Sequence, residues 1–144
     1  MKRLAISTFI VLLVASSAAA DVVRPHIAWD GMVMGKGASK IRGLIEMVGG
    51  KVAGTTSVEV SYTGDAPNVT RSWHVHRGSC VKAGRMLGVV SAYPPLRVNA
   101  NGAVKAKATL RVALPDTGSF YLDIHESSGA TGTVVACGEL LLEE

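Results

Sequence analysis

Two histidines separated by one residue are the clearest candidates for chemistry in this 144-residue chain, because His74 and His76 flank Val75. Trp73 and Val75 alternate with them, which predicts a β-strand over residues 71–76. Residues two apart on a strand point to the same face, with Cα atoms about 6.6–6.8 Å apart. Two imidazoles so placed can converge on one metal ion, and imidazole suits copper and zinc. From spacing alone, two solvated histidines remain the alternative.

A third histidine has the same predicted orientation. Residues 120–125 alternate as a second strand. The inward set is Phe120, Leu122 and Ile124, and the outward set is Tyr121, Asp123 and His125. If the two strands are neighbours, three imidazoles meet on the outer face, so His74, His76 and His125 are the predicted metal ligands.

The chain has two cysteines, Cys80 and Cys137. In an oxidising compartment an even, small number of cysteines predicts a disulfide, with two unpaired thiols as the alternative. Cys80 lies four residues after His76, and Cys137 lies twelve after His125. A Cys80–Cys137 bridge would therefore bring the two histidine-bearing regions together.

Residues 1–20 have the pattern of a secretory signal peptide. Lys2 and Arg3 form a basic start, the stretch 4–15 is apolar, and small residues follow up to an expected cleavage after Ala20. The apolar run is short for a membrane anchor, which needs about 20 residues. The expected location is therefore periplasmic or secreted.

The expected mature chain, residues 21–144, is long enough for one domain. Removing Lys2 and Arg3 from the 15 basic residues leaves 13 against 11 acidic ones, a net charge of +2. No cluster of basic and aromatic residues indicates a nucleic-acid surface. No further stretch could span a membrane, and nothing identifies a protein partner.

The mature chain is predicted to be all-β, because β-branched residues and turn signals dominate and long helical periodicity is missing. Further predicted strands cover residues 57–62, 104–114 and 134–142. Residues 40–48 fit either a helix or a strand, and a strand is favoured by the surrounding pattern. Residues 81–98 are predicted to be a loop, and Asn99–Gly102 a hairpin turn.

Three short motifs resemble the copper/zinc superoxide dismutases. They are Trp-His-Val-His-Arg-Gly-Ser-Cys at 73–80, Asp-Ile-His-Glu at 123–126 and Ala-Cys-Gly-Glu-Leu at 136–140. The resemblance implies an eight-stranded, immunoglobulin-like Greek-key β-sandwich or barrel. It also implies that His74, His76 and His125 are copper ligands and that Cys80 and Cys137 are bonded.

The chain lacks several residues on which the dismutase reaction of that family depends. Residues 81–103 contain no His, Asp or Glu, so the zinc site and the bridging histidine of the family are missing. Val134 stands where the family has an arginine that attracts superoxide. The chain also resembles degenerate, dismutase-like exported domains related to chordin-type repeats. Resemblance therefore implies the fold and argues against the reaction.

Three functions remain open at this point. The favoured one is a copper-binding module with little or no dismutase activity, in which zinc is the competing metal. The second is a structural or interaction β-sandwich with no metal, since folds outlive their sites. The third is a weak, copper-only superoxide dismutase. Whether the protein is an enzyme stays undecided, with a non-enzyme favoured.

Overall fold

The computed structural model describes residues 27–127 and 132–143, and in this part of the chain eight strands form one antiparallel sheet. The strands are β1 (Ala28–Gly35), β2 (Arg42–Gly49), β3 (Thr56–Thr63), β4 (Thr70–Arg77), β5 (Leu96–Arg97), β6 (Val104–Leu110), β7 (Phe120–His125) and β8 (Val134–Glu143). A single 3₁₀ turn is described, at Val90–Ala92. The all-β prediction is therefore confirmed.

The order of the strands brings two distant parts of the chain side by side. It runs β5-β4-β7-β8-β1-β2-β3-β6, so β4 and β7 are neighbours although the chain makes a long excursion between them. β5 and β6 lie at opposite ends of this order but follow each other in the chain, joined across residues 98–103. Because that connection is short, the sheet curls until it is nearly closed into a barrel.

The interior is filled by alternate residues of the strands. Val58, Val60 and Tyr62 of β3 are buried, as are Trp73 and Val75 of β4. These side chains join one core cluster with the three inward residues predicted for β7, which are Phe120, Leu122 and Ile124. The inward set of the two histidine-bearing strands is therefore as predicted.

Two expectations about individual elements need correction. The strand predicted to run to residue 114 ends at Leu110, because its partner β3 begins at Thr56, which pairs with Leu110, and the ladder has no further partner. Asn99–Gly102 is a turn in which Gly102 has a positive φ of 74°. It is not a hairpin, because β5 pairs with β4 whereas β6 pairs with β3.

The strand favoured for residues 40–48 is present as β2. The stretch 81–98 is mainly loop, as predicted, but it also holds the 3₁₀ turn and the two-residue β5. The predicted signal peptide lies outside the described residues. Within the described ranges, no helix has the length and apolar character needed to cross a membrane.

Candidate metal centre

The candidate site lies where β4 and β7 pair. His74 is directly opposite Asp123, His76 is opposite Tyr121, and His125 is opposite Ser72. Since residues two apart on a strand share a face, the histidines and Asp123 lie together on the outer face of the sheet. The three predicted ligands, which are far apart in the sequence, therefore come from two adjacent strands.

This outer face is buried. The exposed fraction is 2% for His74, 6% for Asp123 and 5% for His125. The chain after β4 turns back alongside that strand, where Leu87 donates a backbone hydrogen bond of 2.8 Å to Val75. Side chains that would point into water on an open sheet are thus shielded from it, which raises the cost of any charge that is not paired.

The predicted Cys80–Cys137 disulfide is present, with its Cα atoms 6.0 Å apart. Cys137 is the cross-strand partner of Asp123, so the bridge reaches β8 immediately beside the candidate site. The backbone N–H of Cys80 also donates a hydrogen bond of 2.9 Å to Glu139 of the same strand. The disulfide therefore ties the returning segment to the sheet next to the histidines.

Asp123 stands at the centre of the three imidazoles. Its Oδ2 lies 3.3 Å from Nε2 of His76, and its Oδ1 lies 3.2 Å from Nε2 of His125 and 3.9 Å from Nδ1 of His74. The donor atoms of His74, His76 and Asp123 all lie within 4.8 Å of one another and form a group that could hold a metal ion. His125 approaches the same carboxylate but is not part of that tighter group.

Two of the rings are oriented by backbone carbonyl groups. Nδ1 of His76 lies 3.1 Å from the oxygen of Gly84, and Nδ1 of His125 lies 2.8 Å from the oxygen of Gly132. A carbonyl oxygen only accepts, so each Nδ1 must donate its hydrogen. In the neutral rings Nε2 then carries the lone pair and points it toward Asp123, the arrangement that metal-bound histidines commonly have.

The centre of the group contains four buried polar atoms without a hydrogen-bond partner among the described residues. They are Nδ1 of His74, Nε2 of His76, Nε2 of His125 and Oδ1 of Asp123. Donors about 2.0–2.1 Å from a tetrahedral ion are separated by about 3.3–3.4 Å. Two of the measured separations are close to that value. A cation bound among these atoms would satisfy them together, so the residues fit a metal ion.

Burial and charge set the protonation of the group. Burial lowers the pKa of His74 to about 4, an effect that the other two histidines reinforce and Asp123 opposes. For His76 burial is outweighed by the Asp123 carboxylate, and the pKa is raised. Burial also opposes ionisation of Asp123, but the surrounding histidines outweigh it and lower the pKa of this carboxyl. Near neutral pH the site is therefore an anionic carboxylate among imidazoles.

Two tyrosines restrict how the imidazoles can move. The ring of Tyr121 is stacked on His76 with centroids 5.3 Å apart, and Tyr93 meets His74 edge-on at 5.4 Å. The hydroxyl of Tyr93 donates a hydrogen bond of 2.6 Å to the backbone oxygen of Leu87. The donor atoms are consequently held in place by packing as well as by hydrogen bonds.

The structure brings His74, His76 and His125 together as the sequence predicts, and it adds Asp123. That residue was predicted to face outward but was not chosen as a ligand. Its position two residues before His125, on the same face of a strand, was the available signal. No model of a known protein family matches the chain, and no curated protein is similar to it in sequence. The superoxide dismutase resemblance thus rests on the three motifs alone.

Proposed function

We propose that this protein is an exported metal-binding module that holds one divalent cation through His74, His76, His125 and Asp123. The observation that carries the proposal is the set of four buried donor atoms with no hydrogen-bond partner in the described residues, in which all three histidine nitrogens lie beside the Asp123 carboxylate. Leaving a buried polar group unsatisfied costs about 1–3 kcal/mol, and a bound cation offsets that cost for all four.

The donor set favours copper, with zinc as the competing metal. Three imidazole nitrogens and a carboxylate oxygen are borderline to hard ligands, and no thiolate is available because both cysteines are in the disulfide. Cu(II) heads the affinity order for such sites, whereas three histidines with a further ligand is also a known zinc arrangement. When bound, the cation would supply the positive charge that balances Asp123.

We propose little or no superoxide dismutase activity, for electrostatic reasons. Val134 stands where the dismutase family has an arginine, so this position provides no positive charge to attract superoxide. Asp123 adds a negative charge at the centre of the site, and like charge slows the approach of an anion. Asp123 would also fill a coordination position that a reactive metal needs open.

The test is the copper and zinc content of the exported protein purified from a bacterial periplasm. About one ion per chain is expected in the wild type, and a loss of the ion is expected in His74→Ala/His76→Ala and in His125→Ala. His26→Ala removes the remaining histidine of the chain and serves as the matched control, with metal retained. Equal metal in all four proteins would refute the site.

A metal-free cluster is the second candidate, and one observation favours it. Asp123 lies close enough to His76 and His125 for ion pairs if those rings are protonated, and the pKa of His76 is raised. Such a cluster would only stabilise the fold, and the protein would then be a structural or interaction domain. It predicts no stoichiometric metal and no response of the unfolding temperature to a chelator.

A weak copper-only dismutase is the third candidate carried over from the sequence. It predicts superoxide removal by the copper-loaded protein that disappears when all three histidines are replaced by alanine. Absence of activity in a protein that retains one copper ion per chain would remove this candidate and leave the binding module.

A further inference from the structure

A cavity of about 890 Å³ opens at a different place, between the end of β4 and the end of β6. We call it the seam cavity, because it lies between the segment that returns along β4 and the end of β6, the last strand in the sheet order. Its walls are formed by residues 85–89, 91 and 92, together with Arg77 from β4, Thr109 near the end of β6, and residues 111 and 112 just after that strand. Its volume falls in the range of sites that bind small organic molecules.

The lining of the seam cavity is apolar but positively charged. Leu87 is 5% exposed and belongs to the core, whereas three arginines, Arg77, Arg85 and Arg111, lie at the same cavity. None of the three forms an ion pair with a described acidic side chain, and no described acidic residue lines the cavity. The guanidinium of Arg77 packs over the Phe120 ring, 5.3 Å from its centre.

The seam cavity is separate from the metal centre. His76 and Arg77 are consecutive residues of a strand, so their side chains leave on opposite faces. His76 points to Asp123 on the outer face, whereas Arg77 reaches Phe120, whose side chain belongs to the core. A ligand can therefore occupy the cavity without touching the histidines.

We propose that the seam cavity binds an organic anion with an apolar body, such as a fatty carboxylate or an alkyl phosphate. Arginine is suited to this role because its planar guanidinium bonds carboxylates and phosphates in a bidentate way. The apolar floor at Leu87 would take the hydrocarbon part, and the guanidinium groups of the three arginines would take the head group. The inference is independent of the proposed metal site.

The experiment compares probes that share one chain and differ in the head group. Binding of dodecanoate, dodecan-1-ol and dodecyltrimethylammonium to the full chain is followed by calorimetry, below the critical micelle concentration of each probe. Saturable binding is expected for dodecanoate and not for the other two probes. Arg85→Gln/Arg111→Gln should weaken it about tenfold or more, which is the effect of losing charge-assisted hydrogen bonds.

Arg97→Gln is the matched control, because Arg97 is an exposed arginine of β5 that does not line the cavity. It should bind dodecanoate as the wild type does. Ser91→Trp fills the cavity from an exposed lining position without removing an arginine, and it should also abolish binding. Metal content should stay unchanged in every variant.

Vesicles distinguish the source of the anion. Binding to phosphatidylglycerol vesicles but not to phosphatidylcholine vesicles, lost in Arg85→Gln/Arg111→Gln, would assign the head group to a membrane lipid, whereas binding to free dodecanoate alone would assign a soluble ligand. No saturable binding of dodecanoate, equal binding of all three probes, or the same loss in Arg97→Gln would overturn the proposal.

Discussion

At the scale of single residues, Asp123 determines what the candidate metal centre can do. A buried carboxylate is costly unless it is paired, and Asp123 is 6% exposed. Protonated histidines or a bound cation can provide the compensating charge, and the two solutions differ in what the carboxylate contributes. With a cation it is a ligand, whereas without one it is only a counter-ion.

Asp123→Asn separates these roles. The amide keeps the shape but loses the charge, so the affinity for Cu(II) and Zn(II) should fall about tenfold or more in a chelator competition. Asp116→Asn, at an exposed aspartate in the turn before β7, is the control and should bind as the wild type does. Unchanged affinity in Asp123→Asn would show that the carboxylate is not a ligand.

At the scale of elements, the segment that returns along β4 orients a histidine ring. The oxygen of Gly84 accepts a hydrogen bond from Nδ1 of His76. A Cβ atom at Gly84 would overlap the backbone oxygen of Arg77, so even alanine forces this segment to move. The position of the carbonyl group, and with it the direction of Nε2, depends on a residue that is not itself a ligand.

Gly84→Ala is therefore expected to weaken metal binding by about 10–100-fold, the usual effect of disturbing a group that orients a ligand. The measurement is again chelator competition. Gly49→Ala is the matched glycine variant, because a Cβ atom there meets no described atom within 4 Å. If both variants bind metal as the wild type does, the Gly84 carbonyl group has no orienting role.

The connection between β3 and β4 supports the other end of the site. Asp65 accepts hydrogen bonds of 2.6 and 3.0 Å from Arg71 and one of 3.1 Å from Tyr62. Arg71 in turn donates a hydrogen bond of 2.6 Å to the backbone oxygen of Glu126, immediately after His125. Burial opposes the ionisation of Asp65, but the hydrogen bonds from Arg71 and from its own turn outweigh it and lower the pKa of this carboxyl.

A pH dependence of stability follows from Asp65. Because its pKa is lowered on folding, its contribution is fully present above the unfolded pKa of about 3.9 and is lost as the pH falls through the lower folded value. Asp65→Asn should reduce the free energy of unfolding by about 2–4 kcal/mol near neutral pH, and by much less in strong acid.

Urea unfolding of both proteins from about pH 7 down to about pH 2 measures this difference. In Asp116→Asn the free energy of unfolding should vary with pH as it does in the wild type, since that side chain is exposed. A penalty for Asp65→Asn that stays constant over the whole range would contradict the linkage.

At the scale of the whole molecule, the sequence predicted the parts that depend on local pattern. The alternation around His74 and His125 predicted which side chains enter the core, and the cysteine count together with the predicted export signal predicted the disulfide. The end of β6 at Leu110 could not be predicted, because it depends on where β3 begins. The burial of the outer face at Asp123 could not be predicted either, because it arises from a returning segment whose sequence shows no alternation of polar and apolar residues.

The site joins β4 to β7, which are close only in the folded chain, so metal binding should stabilise the whole barrel. A ligand that binds only the folded state adds about 2.7 kcal/mol at a free concentration 100 times its Kd. Thermal and urea unfolding of the wild type should therefore shift upward with Cu(II) or Zn(II), and a chelator should reverse the shift. His74→Ala/His76→Ala should show no shift, because two donors of the group are removed. If the wild type did not respond at all, the three imidazoles and Asp123 would be a metal-free cluster in which a proton on His76 pairs with the carboxylate.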